Sequence, residues 1–227
     1  MTIAENIARL EKRIQIACDK AGRKRSDITL VAVSKTKPVA MILEAIRAGM
    51  TDIGENRVQE AARKKPLVPM PVTWHFIGHL QTNKVKKALD IFSVIQSVDS
   101  ARLALEIQRR SEQTDKRVKI LAEVNTSAEP TKFGTTPEKL TELVKEIIGL
   151  DRLELIGLMT IGPGWATRDP EASRPCFQML ARLAEQTRQK FGIPLPNLSM
   201  GMSSDFEIGI EQGATIIRVG TAIFGPR

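Results

Sequence analysis

The apolar run Leu30-Val31-Ala32-Val33-Ser34 leads straight into Lys35, with Thr36, Lys37 and Pro38 ending it. An ammonium at the mouth of such a strand has to shed water, and desolvation lowers a lysine toward the neutral amine that attacks carbonyls. The chemistry implied is Schiff-base formation. The same residues also fit a plainer description, in which Lys35 and Lys37 are solvated side chains at a strand end. Toward the other end of the chain, Ser199-Met200-Gly201-Met202-Ser203-Ser204-Asp205 and Ile216-Ile217-Arg218-Val219-Gly220-Thr221 offer glycines, hydroxyls and helix starts. These are the parts from which phosphate cradles are made. Ser204, with Glu207 three residues on, also reads as a helix capping box, which leaves Ser203 to face a ligand.

The elements that must position these groups follow from periodicity. Ile3, Ile7, Leu10, Ile14 and Ala17 recur at steps of four and three, an amphipathic helix closed by Gly22. Short β-rich runs then come near 30–34, 51–54, 73–77, 91–98, 119–125, 154–161, 197–202 and 214–219, separated by helical stretches. Thr136-Pro137 opens one helix, with Leu140, Leu143, Val144, Ile147 and Ile148 on one face, and Phe177, Leu180, Leu183 and Ala184 mark another. Gly162-Pro163-Gly164-Trp165 begins a longer loop. Eight strands alternating with helices in 227 residues predict an α/β fold, a single-domain (β/α)8 TIM barrel with an additional N-terminal helix, spanning 1–227 with no room for a second large domain.

In such a barrel the active face lies at the C-terminal strand ends, and phosphate is commonly held by the loops after strands seven and eight. Alternation puts Arg218 on one face with Ile216 and Gly220, and Lys35 on one face with Val31 and Val33. If both faces point inward, arginine and lysine meet beside the phosphate loops. A buried arginine needs an acceptor there, either a protein carboxylate or a ligand atom. A Schiff-base lysine, a phosphate cradle and an arginine facing a heterocyclic nitrogen together describe a pyridoxal phosphate site.

Composition narrows the alternatives. The formal charge of +8 points to an anionic partner, yet the basic pairs are dispersed and there is no tyrosine to stack on bases, so nucleic-acid binding is not expected. Cys18 and Cys176 stand apart without a Cys-x-x-Cys pair, so neither disulfides nor a metal site is expected. No stretch approaches a membrane span or a leader peptide, and the expectation is a soluble cytoplasmic protein without membrane contact. His75, within the third strand, reads as a structural histidine, while for His79 a general-base role stays open. Met200 and Met202 read as core or pocket lining, and Cys176 has no matched base.

The motifs as a set resemble the pyridoxal phosphate homeostasis protein family, single-domain relatives of the alanine racemase barrel domain. They are Val31-Ala32-Val33-Ser34-Lys35-Thr36-Lys37-Pro38, Gly54-Glu55-Asn56, Trp74-His75-Phe76-Ile77-Gly78 with Leu80-Gln81-Thr82-Asn83-Lys84, Gly157-Leu158-Met159, Leu198-Ser199-Met200-Gly201-Met202-Ser203 and Arg218-Val219-Gly220-Thr221-Ala222-Ile223-Phe224-Gly225. The resemblance implies that Lys35 forms the internal aldimine with pyridoxal 5'-phosphate. It further implies that Ser203, Gly220 and Thr221 hold the phosphate, that Arg218 faces the pyridine nitrogen, that Asn56 lies close by and that Lys37 is the non-aldimine lysine. Many relatives continue past the Gly-x-Arg terminus with a tyrosine and lysines, whereas this sequence stops at Arg227.

The resemblance implies a cytoplasmic, monomeric protein that maintains vitamin pools and amino-acid balance, with PLP-requiring apoenzymes as candidate partners and no catalytic residue assigned. The rival is a PLP-dependent amino-acid racemase. A racemase of the alanine type needs a partner tyrosine and a second β domain, and this chain has no tyrosine. An arginine beside the pyridine nitrogen also disfavours its protonation and makes the ring a weaker electron sink. A third reading is a phosphosugar barrel enzyme without cofactor, in which Lys35 attacks a sugar carbonyl. No role is assigned to Lys132.

Overall fold

Parallel pairing runs unbroken around the strands. In the computed structural model, which describes residues 1–226 and leaves Arg227 outside the described part, eight strands close into a barrel. They are β1 (Thr29–Val33), β2 (Asp52–Glu55), β3 (Thr73–Phe76), β4 (Val94–Val98), β5 (Val118–Glu123), β6 (Leu153–Met159), β7 (Asn197–Ser199) and β8 (Ile216–Val219). Each pairs with the next and β8 pairs back onto β1, the predicted (β/α)8 arrangement. The helices are α1 (Ile3–Lys20), α2 (Val39–Arg47), α3 (Val58–Lys64), α4 (Val85–Leu89), α5 (Ala101–Glu112), α6 (Leu140–Ile148), α7 (Arg174–Phe191), α8 (Phe206–Glu211) and α9 (Thr221–Phe224).

The additional N-terminal helix is α1, started by a capping box in which Thr2 and Glu5 satisfy each other's backbone N–H groups. Its stripe of Ile3, Ile7, Leu10, Ile14, Ala17 and Cys18 is buried, and the helix packs on α2, α8 and α9. Helix α2 follows β1 while α8 and α9 flank β8, so α1 covers the seam where β8 meets β1.

Strand limits shift where an apolar run serves two elements. The expected strand over 91–98 begins at Val94, because Ile91 and Phe92 are buried in the turn that leaves α4. The run over 197–202 stops at Ser199, since Gly201 at φ +97° turns the chain out of the sheet. The Gly162 loop carries two short 3-10 turns, Gly164–Thr167 and Pro170–Ser173.

Most apolar burial lies between the sheet and its helices, where each fully buried Leu or Ile contributes about 1.5–3 kcal/mol. A separate cluster, Val31, Val94, Leu121, Met159 and Ile216, packs in the barrel lumen. No helix among the described residues is long and apolar enough to cross a membrane.

Candidate functional site

Beyond the end of β1, a turn at Thr36, with φ +64°, stands between Lys35 and Lys37. Lys35 is half-buried at the C-terminal mouth of the barrel. The Lys37 ammonium instead donates to the carbonyls of Gly225 and Pro226, at 3.1 and 2.7 Å, and ties the chain's last residues to this corner. The Lys37 ammonium is thus engaged by two backbone carbonyls.

The strand beside β1 brings the other parts. In the β1–β8 ladder Val31 faces Arg218 and Ala32 faces Val219. One step on, a Cβ on Gly220 would sit 3.2 Å from the Val33 carbonyl oxygen, so the Gly220-Thr221 turn lies directly against the strand that leads to Lys35. The N–H of Ala222, in the first turn of α9, reaches the Ser203 hydroxyl at 3.4 Å, which joins the loops after β7 and β8. Ser203, Gly220 and Thr221 thus form one rim, with Ser203 and Gly220 half-buried and Thr221 exposed.

The β7 loop owes its shape to Gly201 and Asp205. A Cβ at Gly201 would meet the Phe206 Cα at 2.8 Å, and the buried Asp205 accepts the Met202 N–H at 2.7 Å and the Ser173 hydroxyl at 2.6 Å. The expected Ser204–Glu207 capping box does not form. Helix α8 starts one residue later, with Asp205 at the cap position, and Glu207 is drawn away by Arg13 of α1 at 2.5 Å.

Arg218 points inward, as alternation predicts, and is 4% exposed. Its guanidinium donates to the Ser199 hydroxyl at 2.5 Å and the Thr160 carbonyl at 2.7 Å. The acceptors are therefore a hydroxyl and a carbonyl rather than a carboxylate. Burial lowers its pKa to about 10 against the opposing pull of Glu123 and Asp205. Ser199 passes the contact on to Gln96 at 2.6 Å, Gln96 to His75 at 3.0 Å, and His75 to Asp52 at 2.8 Å. His75 is thus a satisfied structural histidine, and the chain from Asp52 to Arg218 holds the guanidinium at one orientation.

Asn56 follows β2 at the same end and is half-buried. Gly78 after β3 packs on it so closely that a Cβ there would lie 2.4 Å from the Asn56 carbonyl oxygen. His79 stacks on Phe133 at 3.9 Å between centroids, with its Nδ1 3.2 Å from Asp99. This stack joins the β3 and β5 loops across the rim, and sequence periodicity says nothing of it. Lys132, left without a role by the sequence, pairs with Glu129 at 2.7 Å and donates to the Gly162 carbonyl, tying the β5 loop to the β6 loop.

Sequence reasoning also passes over Glu123. It lies at the mouth end of β5, two residues after the lumen residue Leu121, and is 4% exposed. Its Oε2 has no hydrogen-bond partner among the described residues. Burial first, then the Asp99 charge, push its pKa up to about 7 while Arg218 pulls the other way. The signal available was a carboxylate inside the run Leu121-Ala122-Glu123-Val124, flanked by apolar residues on a strand.

Two hollows lie away from the mouth. One of about 580 Å³ lies by Asn83, Leu105 and Arg109, and one of about 530 Å³ lies at the opposite barrel face among Lys65, Lys116 and Lys119. Neither joins an amine to a hydroxyl-and-glycine cradle. The mouth carries Lys35 at the end of β1, the inward Arg218, the Glu123 Oε2 that has no partner among the described residues, and the rim of Ser203 and Gly220. An amine, a guanidinium and a hydroxyl-and-glycine edge suit a small phosphorylated aldehyde with a ring nitrogen.

Comparison with known proteins gives the same direction. The family model described as "Alanine racemase, N-terminal domain" matches residues 6–227. The pyridoxal phosphate homeostasis protein of Aquifex aeolicus (strain VF5) is 43% identical over 228 residues, covering 100% of this chain and 99% of the relative. The structure of PipY from Synechococcus elongatus PCC7942 with PLP bound superposes with a TM-score of 0.85 at 35% identity, covering 99% of this chain and 100% of PipY. Alanine racemase of Clostridium difficile 630 shares the fold alone, with a TM-score of 0.80 at 12% identity, and this chain covers 57% of it.

Proposed function

The chain belongs to the pyridoxal phosphate homeostasis protein family, built on the alanine racemase N-terminal domain, and from that premise we propose that it binds pyridoxal 5'-phosphate reversibly through Lys35 and acts in keeping and delivering it within the cell. The observation that carries this reading is the meeting of Lys35, at the end of β1, with the Gly220-Thr221 and Ser203 rim on the strands beside it. The relative PipY, solved with PLP bound, supports the choice of cofactor. When bound, the cofactor supplies an aldehyde for an amine and a conjugated ring.

The chain's own residues do the holding. Ser203 and the Gly220-Thr221 turn offer a hydroxyl and close backbone approach to a phosphate. Arg218 presents a guanidinium, oriented by Ser199 and Thr160, to the ring nitrogen, and Asn56 borders the same mouth. A cation at that nitrogen keeps it unprotonated, which favours retention of the cofactor over activation of a substrate carbanion. The half-exposed position of Lys35 leaves it reachable for exchange, and PLP-requiring apoenzymes in the cytoplasm are the recipients this reading names. The protein acts as a monomer in it.

Loaded protein mixed with an apoenzyme that requires the cofactor tests the proposal. Activity should return in the apoenzyme, while the protein alone should exchange no α-proton of alanine or other amino acids in deuterated water. Stereospecific α-proton exchange at a sustained rate would replace the carrier reading with the racemase one.

A further inference from the structure

Lys35 is bounded by two peptide groups, and both are gripped by one buried ion cluster from the neighbouring β2–α3 unit. The carbonyl of Ser34, before Lys35, accepts from the Lys64 ammonium at 2.7 Å. The N–H of Thr36, after Lys35, donates to the Glu60 carboxylate at 2.6 Å. Lys64 joins the two by donating to the same Glu60 oxygen at 2.6 Å and to Glu55 Oε1 at 2.6 Å. Glu55 in turn accepts the Ser34 hydroxyl at 2.6 Å. Glu55 is fully buried and the Lys64 side chain is 9% exposed.

Stability alone does not explain this cluster. Two carboxylates, the buried Glu55 and the half-buried Glu60, share one buried ammonium, and a buried ion pair is a kind of arrangement that well-packed apolar residues often replace without loss. Glu55 Oε2 is left without a hydrogen-bond partner among the described residues, and burial raises the carboxyl's pKa despite Lys64 and Ser34. Its bonds reach the two backbone groups on either side of Lys35. They also hold Thr36 in the left-handed region, where a β-branched residue does not settle unaided.

We infer that Lys64 and Glu60, backed by Glu55, are positioning residues that clamp the backbone on both sides of Lys35 and so set the direction in which its amine enters the mouth. The inference rests on the reading of Lys35 as the cofactor's amine. Glu60 holds the strained turn, Lys64 holds the strand end, and Glu55 keeps Lys64 in place. The turn they hold stands between Lys35, half-buried at the strand end, and Lys37, whose ammonium is bonded to the Gly225 and Pro226 carbonyls.

The test compares wild type, Lys64→Met, Glu60→Leu and the surface control Arg63→Met. Each protein is loaded with pyridoxal phosphate, reduced with borohydride and mapped by peptide, and amide hydrogen exchange at Thr36 is followed in the unloaded proteins. Wild type and the control should carry the label on Lys35 and protect the Thr36 amide. The two clamp variants should need about tenfold more cofactor for half-loading, show label spread to other lysines, and exchange the Thr36 amide about tenfold faster. Glu60→Leu leaves the Glu55–Lys64 pair intact, so it carries the test if Lys64→Met does not fold. Folded variants with wild-type loading, label position and Thr36 protection would overturn the inference. A wild type that takes no label at Lys35 would instead bring down the parent reading, and the Thr36 exchange rates would still decide whether the clamp exists.

Discussion

Among single residues, Lys35 and Lys37 show how far sequence reaches. Their positions mark a chemically interesting strand end without ranking the two; the family resemblance names Lys35, and the structure adds that Lys37 is tied to the Gly225 and Pro226 carbonyls. Arg218 was legible by alternation, whereas its hydroxyl and carbonyl acceptors come from β7 and from the residue after β6, and no local pattern announces them. Glu123 was missed because one carboxylate in an apolar strand looks like an outward-facing residue until the barrel closes around it. It gives a pH prediction. In the unfolded chain its carboxyl ionises near the ordinary value of about 4.3, and in the folded protein at about 7. Between these values the folded state keeps a proton that the unfolded state has released, so this contribution to stability is complete below the lower value and is lost as pH rises through the upper one. Glu123→Gln, neutral throughout, should gain up to about 3 kcal/mol relative to wild type between about pH 4 and about pH 8. Urea unfolding over that range checks it, and parallel stability curves for the two proteins would contradict it.

The elements were read better than their ends. Long periodic segments such as α1 and α7 stand where the spacing puts them, because one apolar stripe specifies both the helix and its buried face. Helix α8 does not start where its Ser-x-x-Glu pattern suggests, because Arg13, distant in sequence, competes for Glu207 and Asp205 takes the cap position. Two predictions belong here. Leu10 is 2% exposed on the helix that covers the β8–β1 seam, so Leu10→Ala should cost about 2–5 kcal/mol in denaturant unfolding. Gly201→Ala meets both a positive φ and the Phe206 backbone, and should cost about 1–3 kcal/mol while moving Ser203 and weakening cofactor retention, as read by dialysis of loaded protein.

At the level of the whole molecule, the closed barrel turns residues far apart in sequence into neighbours. Strands at the two ends of the chain pair with each other, so the strand that leads to Lys35 lies beside the strand that carries Arg218 although nearly the whole barrel separates them in sequence. The count and order of strands made this closure readable, since eight parallel units need no free edge. The rim contacts among the β3, β5 and β6 loops were not readable, because loop residues lack a period and their partners are set by closure. Inside the barrel the same closure packs Val31, Val94, Leu121, Met159 and Ile216, from five different strands, against one another.

The central claim is that Lys35 alone is the cofactor's amine, and borohydride reduction of pyridoxal phosphate-loaded protein followed by peptide mapping tests it most directly, with Lys35→Ala and Lys37→Met run alongside. The account predicts a visible absorption band in wild type, one label on Lys35, the same label in Lys37→Met, and neither band nor specific label in Lys35→Ala. A label that remains in Lys35→Ala, or that scatters over surface lysines in wild type, would contradict it.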